Sequence, residues 1–437
     1  MKVIIGALAA LVLVGAGPAT AAKPNIVLFL ADDLGYGDLG CFGSTIKTPN
    51  LDRLAAEGMK LTNYSVPSPV CSPSRAGMLT GRNPNRYGIR DWIPADSKIF
   101  LPKSETTIAT LLRSAGYRTA HVGKWHLNSK MDGSEPTPDT HGFDHWFSTQ
   151  NNAAPSHHNP KNFIRNGKPV GPLEGYSSTL IVNEAIDWLK GAQQGPFALF
   201  VWFHAPHEPV AAPEEYRRLY ADAGDPTKAA YSGSVTLMDH EVGRMLTALD
   251  EMKVRDNTLV FFASDNGPET HLRYKSAVHS HGSPGPLRGM KLHVTEGGIR
   301  VPAILQWRGH TKAGQVCEEP VFGLDLLPTL CEVAGVEAPK DRALDGASVL
   351  SILEGKPPAR TTSMYWQYDL SISKPWTLAL REGSWKLLGS PSSEKVALYD
   401  LSADIGETND LAEREPDRAR SMAERLRRLY REINPAK

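Results

Sequence analysis

Cys71 opens the run Cys71-Ser72-Pro73-Ser74-Arg75-Ala76-Gly77-Met78-Leu79-Thr80-Gly81-Arg82, whose residue types can do local structural and chemical work. Ser72 suits a helix N-cap, Pro73 the first helical position and Gly81 the residue just past the end, so the sequence predicts a short helix over Ser74–Thr80. Cys71 then lies at a helix N-terminus, where free backbone N–H groups and the positive end of the dipole favour an anion or an anionic nucleophile. A lone cysteine there would read as a buried or reactive thiol; the residues that follow it give the chemical reading its weight. Two other places offer hard oxygen ligands. The apolar run Asn25–Leu30 leads into Asp32-Asp33, and Thr258–Ala263 leads into Ser264-Asp265-Asn266-Gly267. Adjacent carboxylates repel each other unless a cation sits between them, and an all-oxygen set suits Ca2+ or Mg2+. Either pair taken alone also fits a strand-end turn capped by Asp and Asn. Lys124 and His126 lie two apart, which in an extended segment turns both to one side.

Together these blocks resemble the formylglycine-dependent (type I) sulfatase family, near arylsulfatases and N-acetylgalactosamine-6-sulfatases. The Cys71 run is similar to the first family signature, C-x-P-S-R followed by L-T-G-R, and Gly116–Leu127 to the second. Further likenesses are His204-Ala205-Pro206-His207-Glu208-Pro209, Leu287–Lys291 and Glu296-Gly297-Gly298-Ile299-Arg300-Val301-Pro302. Later blocks at Gly323–Thr329, Leu344–Gly346 and Leu398–Leu401, with Asp404 and Glu407, read as structural. Ile405 stands where relatives often have Pro, a departure confined to a C-terminal turn.

The resemblance implies that Cys71 is oxidised to formylglycine by a formylglycine-generating or anaerobic sulfatase-maturating enzyme. It implies a metal site of Asp32, Asp33, Asp265 and Asn266 with the modified residue 71, holding Ca2+ with Mg2+ as the other candidate. A thiolate is a soft ligand poorly matched to Ca2+, whereas a hydrated aldehyde supplies oxygen. In the implied mechanism Asp265 is the base for attack on a sulfate monoester, and Arg75, Lys124 and Lys291 hold the sulfonyl oxygens. His207 or Lys291 protonates the departing alcohol and His126 assists release of sulfate; His204 is structural. The substrate is expected to be a sulfated carbohydrate. Alternatives are an aryl sulfatase of broad specificity, a phosphomonoesterase or phosphodiesterase of the same superfamily, or a non-enzymatic sulfated-glycan binder if Cys71 stays unmodified. The variable segments 128–172 and 269–286 are expected to shape the pocket rim; they contain His157, His158, Arg165, His271, Arg273, His279 and His281.

These residues need a scaffold that brings distant strand ends together. Asn25–Leu30, Phe197–Phe203 and Thr258–Ala263 are near-continuously apolar, as strands buried on both faces are, and helical patterns at Thr107–Ala115, Thr179–Lys190 and Tyr231–Met252 lie between them. That alternation predicts an α/β fold, a large mainly parallel sheet sandwiched by helices, alkaline-phosphatase-like by the resemblance. Short segments at Ser363–Tyr368, Thr377–Arg381, Trp385–Leu388 and Ala397–Leu401 predict a smaller C-terminal antiparallel sheet, followed by a helix with Ala419, Met422, Leu426, Leu429 and Ile433 on one stripe. The expected division is a signal peptide at 1–22, a catalytic unit at 23–340 and a small α+β unit at 341–437.

The 437 residues carry 48 Lys+Arg against 48 Asp+Glu, a balance that gives no electrostatic footprint for nucleic acid. Lys2, the apolar stretch Val3–Gly17 and the small residues Ala19-Thr20-Ala21 read as a secretory signal, too short to span a membrane, which predicts a periplasmic or secreted protein without stable membrane insertion. Apart from Cys71, the chain has Cys41, Cys317 and Cys331, enough for at most one intramolecular disulfide; Cys331, in an apolar run, reads as a buried small hydrophobe.

Overall fold

The computed structural model describes residues 22–191, 195–372, 374–391 and 393–435. The signal-peptide reading lies outside these residues except for Ala22. The strands in chain order are β1 (Asn25–Asp32), β2 (Met59–Leu61), β3 (Tyr64–Ser65), β4 (Arg118–Lys124), β5 (His145–Thr149), β6 (Ile164–Arg165), β7 (Lys168–Pro169) and β8 (Phe197–Pro206). They continue as β9 (Thr258–Ser264), β10 (Ala303–Trp307), β11 (Gln315–Cys317), β12 (Val321–Phe322), β13 (Met364–Gln367), β14 (Leu378–Glu382), β15 (Trp385–Ser390) and β16 (Ser393–Asp400). The α-helices are α1 (Pro49–Glu57), α2 (Cys71–Thr80), α3 (Ile108–Ser114), α4 (Ser177–Gly191), α5 (Glu214–Arg218), α6 (Pro226–Glu251), α7 (Glu296–Ile299), α8 (Leu326–Ala334) and α9 (Pro416–Ile433).

A ten-stranded sheet has the order β11-β2-β10-β9-β1-β8-β4-β5-β6-β7. Its central block β9-β1-β8-β4-β5 is parallel throughout, and β10, β6 and β7 join antiparallel toward the edges. The period-2 alternation of β1 divides the molecule into two cores. Val27, Phe29 and Ala31 pack with Leu51 of α1, Ile181 of α4 and Val235 of α6. Ile26, Leu28 and Leu30 face Met78 of α2, Leu112 of α3 and Leu330 of α8. Cover on both faces buries β1, β8 and β9 along their whole length, which is why they read as near-continuous apolar runs with polar residues at their ends. The four-stranded antiparallel sheet β13-β14-β15-β16 packs one face on α9 through Leu387, Leu398, Met422 and Leu426. Its other face joins the first core through Trp366, Ala379 and Leu388.

Helix boundaries follow local chemistry. Asp225 caps α6 by accepting from the Thr227 amide at 2.8 Å with Pro226 in the first turn, and Thr107 caps α3 through the Thr110 amide at 3.1 Å. At α2 the expected cap shifts. The helix begins at Cys71 with extended Val70 before it, and the Ser72 hydroxyl accepts from the Ile93 amide at 3.0 Å instead of closing the helix. Gly81 ends α2 as expected, with φ 66° and its amide bonded to the Gly77 carbonyl. The strand containing His204 continues through it to Pro206, further than its apolar run indicated, and its register with β1 slips between Leu30 and Asp32. All four cysteines are free, and Cys331 is buried. No helix among the described residues is long and apolar enough to cross a membrane.

Candidate active site

The central parallel strands end on one side of the sheet, and their carboxyl ends carry the site. β1 delivers Asp32 and Asp33, β9 delivers Asp265 and Asn266, β4 ends on Lys124, and β8 leads into His207; α2 brings Cys71 and Arg75 to the same place. All of α2 is buried, Cys71 included. Asp33 takes the left-handed backbone conformation, φ 64°, which turns its side chain away from the path a strand would give it.

Each carboxylate meets a cation. Lys124 Nζ donates to Asp32 Oδ2 at 2.6 Å and Lys291 Nζ to Asp33 Oδ2 at 2.7 Å. Arg75 Nε donates to Asp265 Oδ2 at 2.8 Å and its NH1 to the Lys124 carbonyl at 2.9 Å. Arg75 NH2 lies 2.7 Å from the same Asp265 oxygen and 3.5 Å from Asp32 Oδ1, charge contacts without hydrogen-bond alignment. Asn266 Nδ2 donates to Asp33 Oδ1 at 2.6 Å, and the Asp33 amide to Asp265 Oδ1 at 3.2 Å.

Several atoms of this cluster are buried without a hydrogen-bond partner. They include Asp32 Oδ1, Asn266 Oδ1, Arg75 NH2 and His126 Nδ1. Buried polar atoms are normally satisfied, so such a group of orphans marks where a bound species belongs. The two oxygens are hard donors that fit a Ca2+ or Mg2+ ion. Asp32, Asp33 and His207 also present ligand atoms within 4.8 Å of one another. His207 was not in the ligand set read from the sequence, and its imidazole suits a hard cation less well than the Asn266 amide oxygen.

The charge states follow from burial against neighbours. Burial raises the Asp32 carboxyl, but Lys124, His207 and Arg75 outweigh it and hold it well below the usual carboxylate range. Burial dominates at Asp33 and Asp265 and lifts them to about 6 and about 7, with Lys291 and Arg75 opposing. Burial works against charge on Lys291, yet Asp33 and its acidic neighbours keep it well above the ordinary lysine value. Burial also pushes the Cys71 thiol up to about 11, so an unmodified Cys71 is a neutral thiol at pH 7.

The histidines divide by what fixes them. His207 Nδ1 lies 2.5 Å from the Glu208 carbonyl, which can only accept, so Nδ1 carries the proton and Nε2, 3.4 Å from Asp33 Oδ2, faces the cluster. Burial, then Lys291, lowers His207 to about 3. His126 does not share an extended segment with Lys124. β4 stops at Lys124, and His126 adopts φ 55° so that its Nε2 can donate to the Ile93 carbonyl at 3.1 Å. His204 is bonded to Thr149 Oγ1 at 2.7 Å and packs near Phe163, a structural setting.

Sequence reasoning missed Asn152, whose Oδ1 accepts from Lys124 Nζ at 3.2 Å while its Nδ2 reaches the Glu208 carbonyl at 2.9 Å. It also missed Glu269, 3.7 Å from Lys291 Nζ and held by two bonds from Arg273. The spacing of Glu269 and Arg273 was the one available signal. The other rim candidates scatter. His157 is buried against His204, His158 stacks on Tyr176, Arg165 pairs with Glu184, His279 meets Glu208, and His271 stacks on His281.

A family model described as Sulfatase matches residues 24–336. The chain belongs to the sulfatase family. A second model, N-sulphoglucosamine sulphohydrolase, C-terminal, matches residues 290–433. This sulfatase is 37% identical to N-acetylgalactosamine-6-sulfatase of Rattus norvegicus over 381 residues, which is 81% of this chain and 70% of that protein. It is 34% identical to arylsulfatase A of Bos taurus, over 91% of this chain and 85% of that one. Among solved structures it is similar to Ps i-CgsB in complex with k-i-k-neocarrahexaose, with TM-score 0.84 and 29% identity over 93% of this chain and 92% of that chain. The fold is alkaline-phosphatase-like, and the sulfatase is a sulfuric ester hydrolase.

Proposed function

We propose that this sulfatase hydrolyses a sulfate monoester on a carbohydrate, with formylglycine formed from Cys71 and one Ca2+ held by Asp32, Asp33, Asp265, Asn266 and residue 71. One observation carries the reading. Cys71 starts a buried helix near two anchored lysines, and buried oxygens of Asp32 and Asn266 make no hydrogen bond, a set of hard donors next to concentrated positive charge. When present, the hydrated aldehyde supplies an oxygen nucleophile and the cation draws charge from the sulfonyl oxygens.

The chain's own residues do the rest. Lys124 and Lys291 are fixed by Asp32 and Asp33, which leaves each ammonium at least one further donor for a sulfonyl oxygen. Arg75 NH2, in charge contact with Asp265 and Asp32 but without a hydrogen bond, is the guanidinium nitrogen that can join them. Asp265, held by Arg75 Nε at 2.8 Å, is the carboxylate placed to take the proton of the nucleophile. The Glu208 carbonyl keeps the proton on His207 Nδ1 and aims the bare Nε2 at the cluster, so the proton for the leaving oxygen comes from Lys291, which stays charged. His126 Nδ1, bare and buried, accepts the proton whose removal precedes sulfate release. The carbohydrate class rests on the names of the N-acetylgalactosamine-6-sulfatases and on the neocarrahexaose complex.

Residues 23–340 act in this reading as the catalytic unit and 341–437 as a small unit closing over it, in a protein exported by its first 22 residues. The test is protein co-expressed with a formylglycine-generating enzyme. The peptide containing residue 71 should be lighter than its cysteine form, metal analysis should find about one Ca2+ per chain, and sulfate should be released from a sulfated sugar. Multiple turnovers by Cys71→Ala or Cys71→Ser, or two tightly bound Zn2+ ions, would overturn the reading.

A further inference from the structure

Trp92 is 45% exposed, yet the backbone beside it is fastened to the site from several directions. The Ile93 amide donates to Ser72 Oγ at 3.0 Å, one residue from Cys71. The Ile93 carbonyl accepts from His126 Nε2 at 3.1 Å and from Gln150 Nε2 at 3.3 Å. On the other side of Trp92, Asp91 Oδ1 accepts from the Tyr368 hydroxyl at 3.0 Å. The indole itself lies 6.4 Å, centroid to centroid, from the buried His126 ring.

A single exposed tryptophan is ordinary on a protein surface and by itself explains nothing. This one differs in that the backbone beside it is bonded to Ser72 and His126 of the site. Tyr368 is itself buried, so its hydroxyl holds the Asp91 carboxylate in a fixed place one residue from Trp92. Consecutive carboxylate and indole side chains suit two features of a pyranose. The ring's C–H face packs on an aromatic plane, and its edge hydroxyls donate to a carboxylate. An aryl sulfate offers the first contact without the second.

We propose that Asp91 and Trp92 form the subsite that grips the sugar ring bearing the sulfate, with Tyr368 fixing the Asp91 carboxylate. The proposal rests on the sulfatase reading for the position of the ester and makes Asp91 and Trp92 sugar-contact residues. Trp92 supplies a stacking surface, and Asp91 discriminates a polyhydroxylated ring from an aromatic one.

Two measurements test it. Binding is read by calorimetry in the Cys71→Ala background, which needs no modification, with N-acetylgalactosamine 6-sulfate and inorganic sulfate as probes. Adding Trp92→Ala or Asp91→Ala should weaken the sugar sulfate about tenfold and inorganic sulfate by less than about twofold, with Trp92→Phe keeping most of the sugar affinity. Turnover is read on matured protein with the same sugar sulfate and with 4-nitrophenyl sulfate. Asp91→Ala should lower the sugar-to-aryl ratio of kcat/KM about tenfold, chiefly through KM. Equal weakening of sugar sulfate and inorganic sulfate, or an unchanged ratio, would overturn the subsite and leave Trp92 as packing for His126. If matured wild type cleaves neither ester, the sulfatase reading fails, and the binding arm still decides the subsite.

Discussion

Lys124 and Lys291 have the same chemistry in different settings. Lys124 is shared between Asp32 and Asn152, whereas Lys291 is surrounded by Asp33 and Glu269. Removing one preorganised contact to developing charge costs roughly 100- to 1,000-fold in kcat, so Lys124→Ala and Lys291→Ala should each lose at least that much when kcat is measured on matured protein. Lys291 should also be selective. It stays charged beside Asp33, so Lys291→Ala should slow sugar sulfates, whose alcohols leave poorly, more than 4-nitrophenyl sulfate, which needs little protonation. Equal losses on both esters would remove leaving-group protonation from Lys291.

At the scale of elements, the turn Asp265-Asn266-Gly267 and the start of α7 touch backbone to backbone. The Gly267 amide donates to the Gly298 carbonyl at 3.0 Å, and a Cβ on Gly267 would sit 2.0 Å from the Gly297 carbonyl oxygen. On its other side a Cβ on Gly297 would sit 2.1 Å from the Gly289 carbonyl oxygen, in the segment that leads to Lys291. Gly297→Ala should therefore push Asn266 and Lys291 apart, costing about 1–3 kcal/mol in stability with a larger proportional loss of activity; thermal melting and kcat/KM check this together. Much of this layout was legible in the sequence. The apolar runs gave β1, β8 and β9, and the ends of β1 and β9 gave the acids. The α2 cap was not legible, because the Ser72 hydroxyl is drawn to an amide of Ile93, a partner outside the local run. The Lys124–His126 geometry failed for a similar reason: periodicity cannot register that His126 leaves the strand path to bond Ile93. Asn152 and Glu269 carry no local pattern beyond one ion-pair spacing, and only the folded chain brings them to the lysines. The short edge strands β2, β6, β7 and β11 lack the length for a periodic signal.

Across the whole molecule, the C-terminal sheet is joined to the site region by a buried ionic triad. Lys386 of β15 is fully buried, with Nζ 2.8 Å from Glu296 Oε1 and 2.9 Å from Glu407 Oε1. Glu296 begins α7, so the triad also fixes the turn that Gly297 shapes. Breaking a buried pair from one side leaves an uncompensated charge, and Lys386→Met should cost about 3–5 kcal/mol, read as a lower Tm at pH 7. The effect should depend on pH. Burial raises Glu296, but Lys386, Arg381 and Arg300 overcome it and hold Glu296 at about 2, below its ordinary 4.5. A depressed carboxyl contributes stability above its unfolded pKa and loses it as pH falls through the folded one. The Tm advantage of wild type over Lys386→Met should therefore shrink on acidification toward pH 2, with the share from Glu407, whose carboxyl burial raises, lost first. A gap that stays constant across that range would remove Glu296 as its source.

The enclosure of α2 sets an order in time. Every residue of that helix is inside the molecule, and Cys71 is 2% exposed, so a maturation enzyme cannot close around residue 71 once the chain has folded. On the proposed reading, oxidation of Cys71 would have to precede folding, and a molecule that folded early would keep its thiol. Incubating folded, unmodified protein with a formylglycine-generating enzyme should leave residue 71 unchanged by mass, whereas a synthetic peptide spanning Ser65–Asn85 should be converted. The yield of active protein in a producing cell then measures a race between modification and collapse, and slowing translation or folding should raise it.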